Sequence, residues 1–97
     1  MNIGNTIKQL RQAANYNQIE LSSKAGITQT SLSQIELGKK RPTQQTLNKI
    51  CDALNINESI LYIMSTSIED IPKENREVYQ DLFPKVKEML EAMFVVK

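Results

Sequence analysis

Residues 18–42 read QIELSSKAGITQTSLSQIELGKKRP, and the reading of this run decides the fold. Asn17 followed by Glu20 has capping-box spacing: the Asn side chain accepts from the backbone at Glu20, and the Glu20 carboxylate reaches back. That spacing predicts a helix over 18–25 with Leu21 and Ala25 inward. Gly26 falls just past its end, where a left-handed residue turns the chain sharply. Thr28 is a good N-cap for the next helix, over 28–36, with Gly38 after it. Small Ala25 and Gly26 let the two helices approach closely, while Ile27, Leu32 and Ile35 wedge the second onto a core.

Helical periodicity extends in both directions, and no stretch alternates at period two long enough for a confident strand. Ile3, Ile7, Leu10 and Ala14 share one stripe and predict a helix over 4–14. Pro42 and Thr43 open another, over 43–54, burying Leu47, Ile50, Cys51 and Leu54. Asn57 caps a fifth over 57–64, anchored by Ile60, Leu61 and Ile63. Five short helices make residues 1–66 one small all-α domain.

On a helical wheel, Thr28, Ser31, Leu32 and Ile35 point inward, whereas Gln29, Thr30, Ser33, Gln34 and Leu37 point outward. A solvated face usually carries Glu and Lys; this one carries uncharged hydrogen-bonding groups. The pattern of Gln18, Leu21, Ser22, Ala25-Gly26, Ser31, Ser33-Gln34-Ile35-Glu36, Gly38 and Arg41-Pro42 strongly resembles the phage-repressor and Cro-like (Xre) helix-turn-helix family over about residues 3–64. The resemblance implies a five-helix lambda-repressor-like fold that binds double-stranded DNA as a dimer, with the third helix in the major groove. Side-chain chemistry agrees. The Gln amide matches the N6/N7 edge of adenine, and Ser and Thr hydroxyls serve either base type. Gln29 and Gln34 are the leading base readers, followed by Thr30 and Ser33. Leu37 is open between DNA, a dimer partner and plain exposure.

Phosphates supply bulk attraction without sequence information. Lys39, Lys40 and Arg41 follow the recognition helix and are assigned to phosphate, as is Thr43. Gln18 opens its helix, where its amide and the helix N-terminal N–H groups can hold a phosphate. In the family, the positions of Arg11 and Glu36 commonly form an ion pair, so the resemblance makes Glu36 structural; Arg11 has spare donors for a phosphate.

Composition narrows the alternatives. The 97 residues carry one cysteine and no histidine, which removes an intrachain disulfide and the commonest general base and metal ligand. Cys51, on a helical pattern between Ile50 and Leu54, reads as a core residue. No Ser-His, Cys-His, phosphate-loop or metal cluster exists in the sequence, so neither an enzyme nor a cofactor or metal is expected. No apolar run approaches the ~20 residues of a membrane span, and the polar N-terminus is unlike a signal peptide, which makes a cytoplasmic protein the default. Residues 1–66 hold seven Lys/Arg against four Asp/Glu, and residues 67–97 five against seven, giving +3 and −2. The first part suits a polyanion and the second does not.

Residues 67–97 lie outside the resemblance. Tyr79, Leu82, Val86, Met89 and Met93 repeat at helical spacing, and Phe83, Leu90 and Phe94 widen the stripe. Pro84 is expected to divide it into helices over 73–82 and 84–95. So broad a stripe requires a cover, either the domain itself or a second chain. Dimerisation is the favoured reading, because two-fold dimers match palindromic half-sites. The expected function is therefore a sequence-specific transcriptional regulator, a repressor acting as a homodimer. The competing expectation is an antitoxin or adaptor whose tail binds another protein while the helix-turn-helix autoregulates.

Overall fold

The computed structural model describes residues 1–94, and every regular element among them is helical. The α-helices are α1 (Ile3–Ala13), α2 (Gln18–Ala25), α3 (Gln29–Glu36), α4 (Gln44–Leu54), α5 (Glu58–Ser65) and α6 (Arg76–Phe94). Two single turns of 3-10 helix, Ile68–Asp70 and Lys73–Asn75, lead into α6.

Short-range chemistry sets the boundaries. Asn17 and Glu20 form the reciprocal capping box, with bonds of 2.7 and 2.9 Å. Thr28, Thr43 and Asn57 cap α3, α4 and α5, each accepting a backbone N–H in the first turn. Gly26 adopts the left-handed conformation at φ 74° that turns α2 into α3. Asn55 ends α4 in the same way at φ 55°, a conformation asparagine tolerates better than most side chains.

Ile7, Leu21, Leu32, Ile35, Ile50 and Leu61 are completely or almost completely buried and form the centre of one core. Each contributes about 1.5–3 kcal/mol through removal of apolar surface from water. α2 packs on α3 and α4, while α1 packs on α3 and α5. The recognition candidate α3 is therefore braced by both of its predecessors.

The tail differs from the sequence expectation. Pro84 lies inside a single helix, α6, rather than between two. Proline removes one hydrogen bond and crowds the preceding turn, at about 3 kcal/mol. Here the residue is exposed, as is Gln80, whose carbonyl loses its partner, so water can satisfy that group. Tyr79 and Phe83 before the proline and Leu90 after it are all partly buried, which holds the two halves in line. The 73–75 segment, expected to open the first tail helix, forms a 3-10 turn instead. Residue 95, the expected last residue of the second, lies outside the described residues.

Candidate nucleic-acid interface

α3 is fixed at both ends and underneath. The Thr28 hydroxyl accepts the Ser31 N–H at 3.0 Å. At the far end Gly38 takes φ 76°, and the N–H groups of Gly38 and Lys39 donate to the carbonyls of Ile35 and Gln34 at 3.1 and 2.9 Å. α1 crosses so close below that a Cβ on Gly4 would collide with the Ile35 carbonyl oxygen. Sequence reasoning passed over Gly4. Its signal was a glycine inside a periodic helical stretch, which lowers helix propensity and often marks a close approach.

A polar fastening joins the same elements. The Arg11 guanidinium grips Glu36 bidentately, Nε to Oε2 at 2.8 Å and NH2 to Oε1 at 3.0 Å, and its NH1 donates to the Tyr16 carbonyl at 2.9 Å. Gln18 Nε2 donates to Glu36 Oε1 at 3.0 Å. One carboxylate thus ties α1 and α2 to α3, with charge-assisted geometry. Arg11 is buried with three of its five N–H groups committed, which leaves little of it for a phosphate. Gln18 keeps a second amide N–H and its carbonyl oxygen.

Gln18, Gln29, Thr30, Ser33, Gln34, Leu37 and Lys39 line one open concavity. The side-chain hydrogen bonds of α3 and its cap run through Thr28, Ser31 and Glu36. They leave Gln29, Thr30, Ser33 and Gln34 without an intramolecular partner among the described residues. Gln29, Thr30 and Gln34 are exposed and Ser33 is half-buried; polar groups within reach of solvent are satisfied by water and can exchange it for a ligand.

The three cations separate. Lys39 borders the concavity. Lys40 Nζ donates to the Ser31 hydroxyl at 3.1 Å, and with Arg41 it lines a second depression, between Met1–Gly4 and Ile35. Thr43 is exposed at the start of α4, where its hydroxyl oxygen accepts the Thr46 N–H at 3.1 Å.

Elsewhere, Cys51 is buried in the core. Burial, then the nearby carboxylates of Glu58 and Asp52, pushes its thiol up to about 11, so it is protonated and unreactive near neutral pH. No group of three or more His, Cys, Asp and Glu among the described residues could hold a metal ion, and no described helix is long and apolar enough to cross a membrane.

On α6 the apolar stripe divides. Tyr79 and Phe83 stack with ring centroids 4.7 Å apart, the Tyr79 hydroxyl donates to the Thr66 carbonyl at 3.1 Å, and Leu90 packs against the core. Leu82, Val86, Met89 and Met93 are exposed, joined by Val78, which the sequence reading did not single out. The side chain of Phe94 lies outside the described residues.

Two helices joined by a tight glycine turn, the second presenting an uncommitted polar face, define a helix-turn-helix domain. The chain belongs to the helix-turn-helix family of Xre and lambda-repressor type, whose model matches residues 7–61. An uncharacterized HTH-type transcriptional regulator from Mycobacterium tuberculosis is 30% identical over 75 residues, 77% of this chain and 52% of the relative. The immunity repressor protein of Bacillus phage phi105 is 28% identical over 90 residues, covering 92% and 62% of the two chains. The HTH-type transcriptional regulator SutR from Escherichia coli K12 is 33% identical over 86 residues, covering 84% and 48%. The chain therefore spans about half to three-fifths of the length of these relatives.

Proposed function

We propose that this chain is a sequence-specific DNA-binding transcriptional repressor that occupies a palindromic operator as a homodimer. The observation that carries the reading is the concavity in which Gln29, Thr30, Ser33 and Gln34 leave their hydrogen-bonding groups free. Amides and hydroxyls without charge discriminate base edges by pattern, and the major groove offers a distinct pattern for each base pair. Lys39, the free N–H of Gln18, Thr43, and Lys40 with Arg41 are the phosphate contacts that would set register around that face. Repression, rather than activation, is favoured by the phage relative's name.

Residues 67–97 serve as the dimerisation element in this reading. At about 100° per residue, Val78, Leu82, Val86, Met89 and Met93 fall within an arc of about 80°, and all five are exposed. Residues 78 and 93, and 82 and 89, are placed symmetrically about the middle of α6. A second copy laid antiparallel would meet the same apolar positions in reverse, as a two-fold interface requires. That self-complementarity favours a second copy over the adaptor reading, in which the stripe waits for a different protein.

Selection from random duplex DNA at a stated salt concentration tests the proposal. The expected product is a palindrome with half-site centres about 34 Å apart, one helical turn. Recovery of no preferred sequence would refute it. For the dimer, sedimentation of the wild type and of Leu82→Glu/Met89→Glu should give a dimer and a folded monomer. A monomeric wild type would instead favour the adaptor reading.

A further inference from the structure

Among the described residues, Leu37 is the one apolar side chain lining the reading concavity, and it is 65% exposed. It caps the C-terminus of α3, one turn beyond Ser33 and Gln34. At about 100° per residue it projects 40° from Ser33 and 20° from Thr30, in the middle of the reading face. Nothing in the fold requires leucine here, since Leu32 and Ile35 already fasten the helix from beneath. An exposed leucine faces water, a second protomer or an apolar feature of the ligand, and its place among the concavity's hydrogen-bonding groups, apart from the apolar stripe of α6, favours the ligand. The major-groove edge of a base pair has one such feature, the C5-methyl group of a pyrimidine.

We infer that Leu37 is a specificity-determining residue that contacts a pyrimidine C5-methyl group in each half-site, next to the bases read by Ser33 and Gln34. The inference rests on the DNA-binding reading above and adds a chemical class of contact to it. Hydrogen bonds from Gln29, Thr30, Ser33 and Gln34 distinguish donors from acceptors. Leu37 distinguishes methyl from hydrogen at carbon 5, a difference that hydrogen bonds do not register and that, of those four side chains, only the methyl of Thr30 could also read. Two sources carry the same methyl, thymine and 5-methylcytosine, and synthetic duplexes separate them.

The test measures binding to the selected operator by fluorescence anisotropy. One set of duplexes replaces each thymine in turn by deoxyuracil, and a second replaces each cytosine by 5-methylcytosine. If thymine is the source, one deoxyuracil position per half-site weakens wild-type binding by about fourfold, the worth of one methyl removed from water. If 5-methylcytosine is the source, methylation at one position strengthens binding by a similar factor. In either case Leu37→Ala binds methylated and unmethylated duplexes alike at that position, while Leu37→Met keeps much of the discrimination. Thermal denaturation of both variants should match the wild type, because the side chain is exposed. A wild type indifferent to every methyl, or a Leu37→Ala variant that keeps the full discrimination, overturns the inference and leaves the DNA-binding reading intact. Failure to select any sequence overturns both.

Discussion

Replacing Arg11 with Met tests the joint that orients the recognition helix. The side chains of Arg11 and Glu36 are 9% and 2% exposed. The substitution keeps an aliphatic stem but removes both hydrogen bonds to the carboxylate and the one to the Tyr16 carbonyl. Among the described residues, Glu36 is left with the Gln18 amide, at 3.0 Å. Removing one partner of a buried pair costs about 3–5 kcal/mol, because the surviving charge has neither water nor counter-ion. A small domain has about 5–15 kcal/mol of stability in all. At ~4–8 °C per kcal/mol for a domain of this size, the midpoint should fall on the order of 20 °C. Urea titration followed by circular dichroism gives the free energy directly, with an unchanged slope if the unfolding remains the same process. The double variant Arg11→Met/Glu36→Leu separates stranded charge from lost packing. Apolar replacement of a whole buried pair is often neutral or stabilising, so the double should exceed either single variant in stability. A cost below about 1 kcal/mol for Arg11→Met, or a double variant as unstable as the two singles added together, would refute the reasoning.

Further expectations concern the interface and the core. Gln29→Ala should relax preference at one base position, at about 1–3 kcal/mol, whereas Lys39→Ala should weaken all duplexes more evenly and flatten the salt dependence by about one unit of slope; the reverse pattern in a titration series would exchange their roles. Gly4→Ala should destabilise by about 1–3 kcal/mol through overpacking of α1 against α3, read from urea midpoints; a neutral result would mean the two helices separate at no cost. Native Cys51, with its thiol raised from 9.0 to about 11, should hold roughly a hundredfold less thiolate at pH 8 than the unfolded chain, so iodoacetamide should label it only through unfolding. The sign follows from the raised native value: the contribution is complete below about pH 9 and is lost as pH rises towards 11, and Cys51→Ala should remove this alkaline loss.

Elements fixed by neighbours in sequence were legible in the sequence. Asn17, Glu20, Gly26, Thr28 and Thr43 act within three residues of themselves, and the helices they bound were placed to within a residue. Features set by distant partners were not. The need for glycine at position 4 exists only because α1 crosses under Ile35. Pro84 stays within a helix because packing on both sides of it overrides a local preference. The tail stripe splits because Tyr79 and Leu90 meet the body, and no wheel can say which edge of an apolar face finds a cover first. At the concavity, residue types and helical phase were enough to group Gln29, Thr30, Ser33 and Gln34, but the bond from Gln18 to Glu36 required the fold.

That bond bears on the absence of exposed charge from the reading face. Glu36 is the one acidic residue of α3, and an exposed carboxylate there would repel a phosphate backbone. Turned inward against Arg11, it contributes no net charge together with its partner, and the repulsion is removed. The same contact holds α3 at a fixed distance from α1 and draws Gln18 of α2 against it. A neutral apolar pair could remove the repulsion equally well, and by the reasoning above with little loss of stability. It could not hold the Gln18 amide, because the Glu36 carboxylate is the protein acceptor that this N–H uses. The double variant Arg11→Met/Glu36→Leu should therefore be stable yet bind operator more weakly than wild type, since Gln18 is freed to reorient. Equal affinity in the two proteins would show that the pair serves the fold alone.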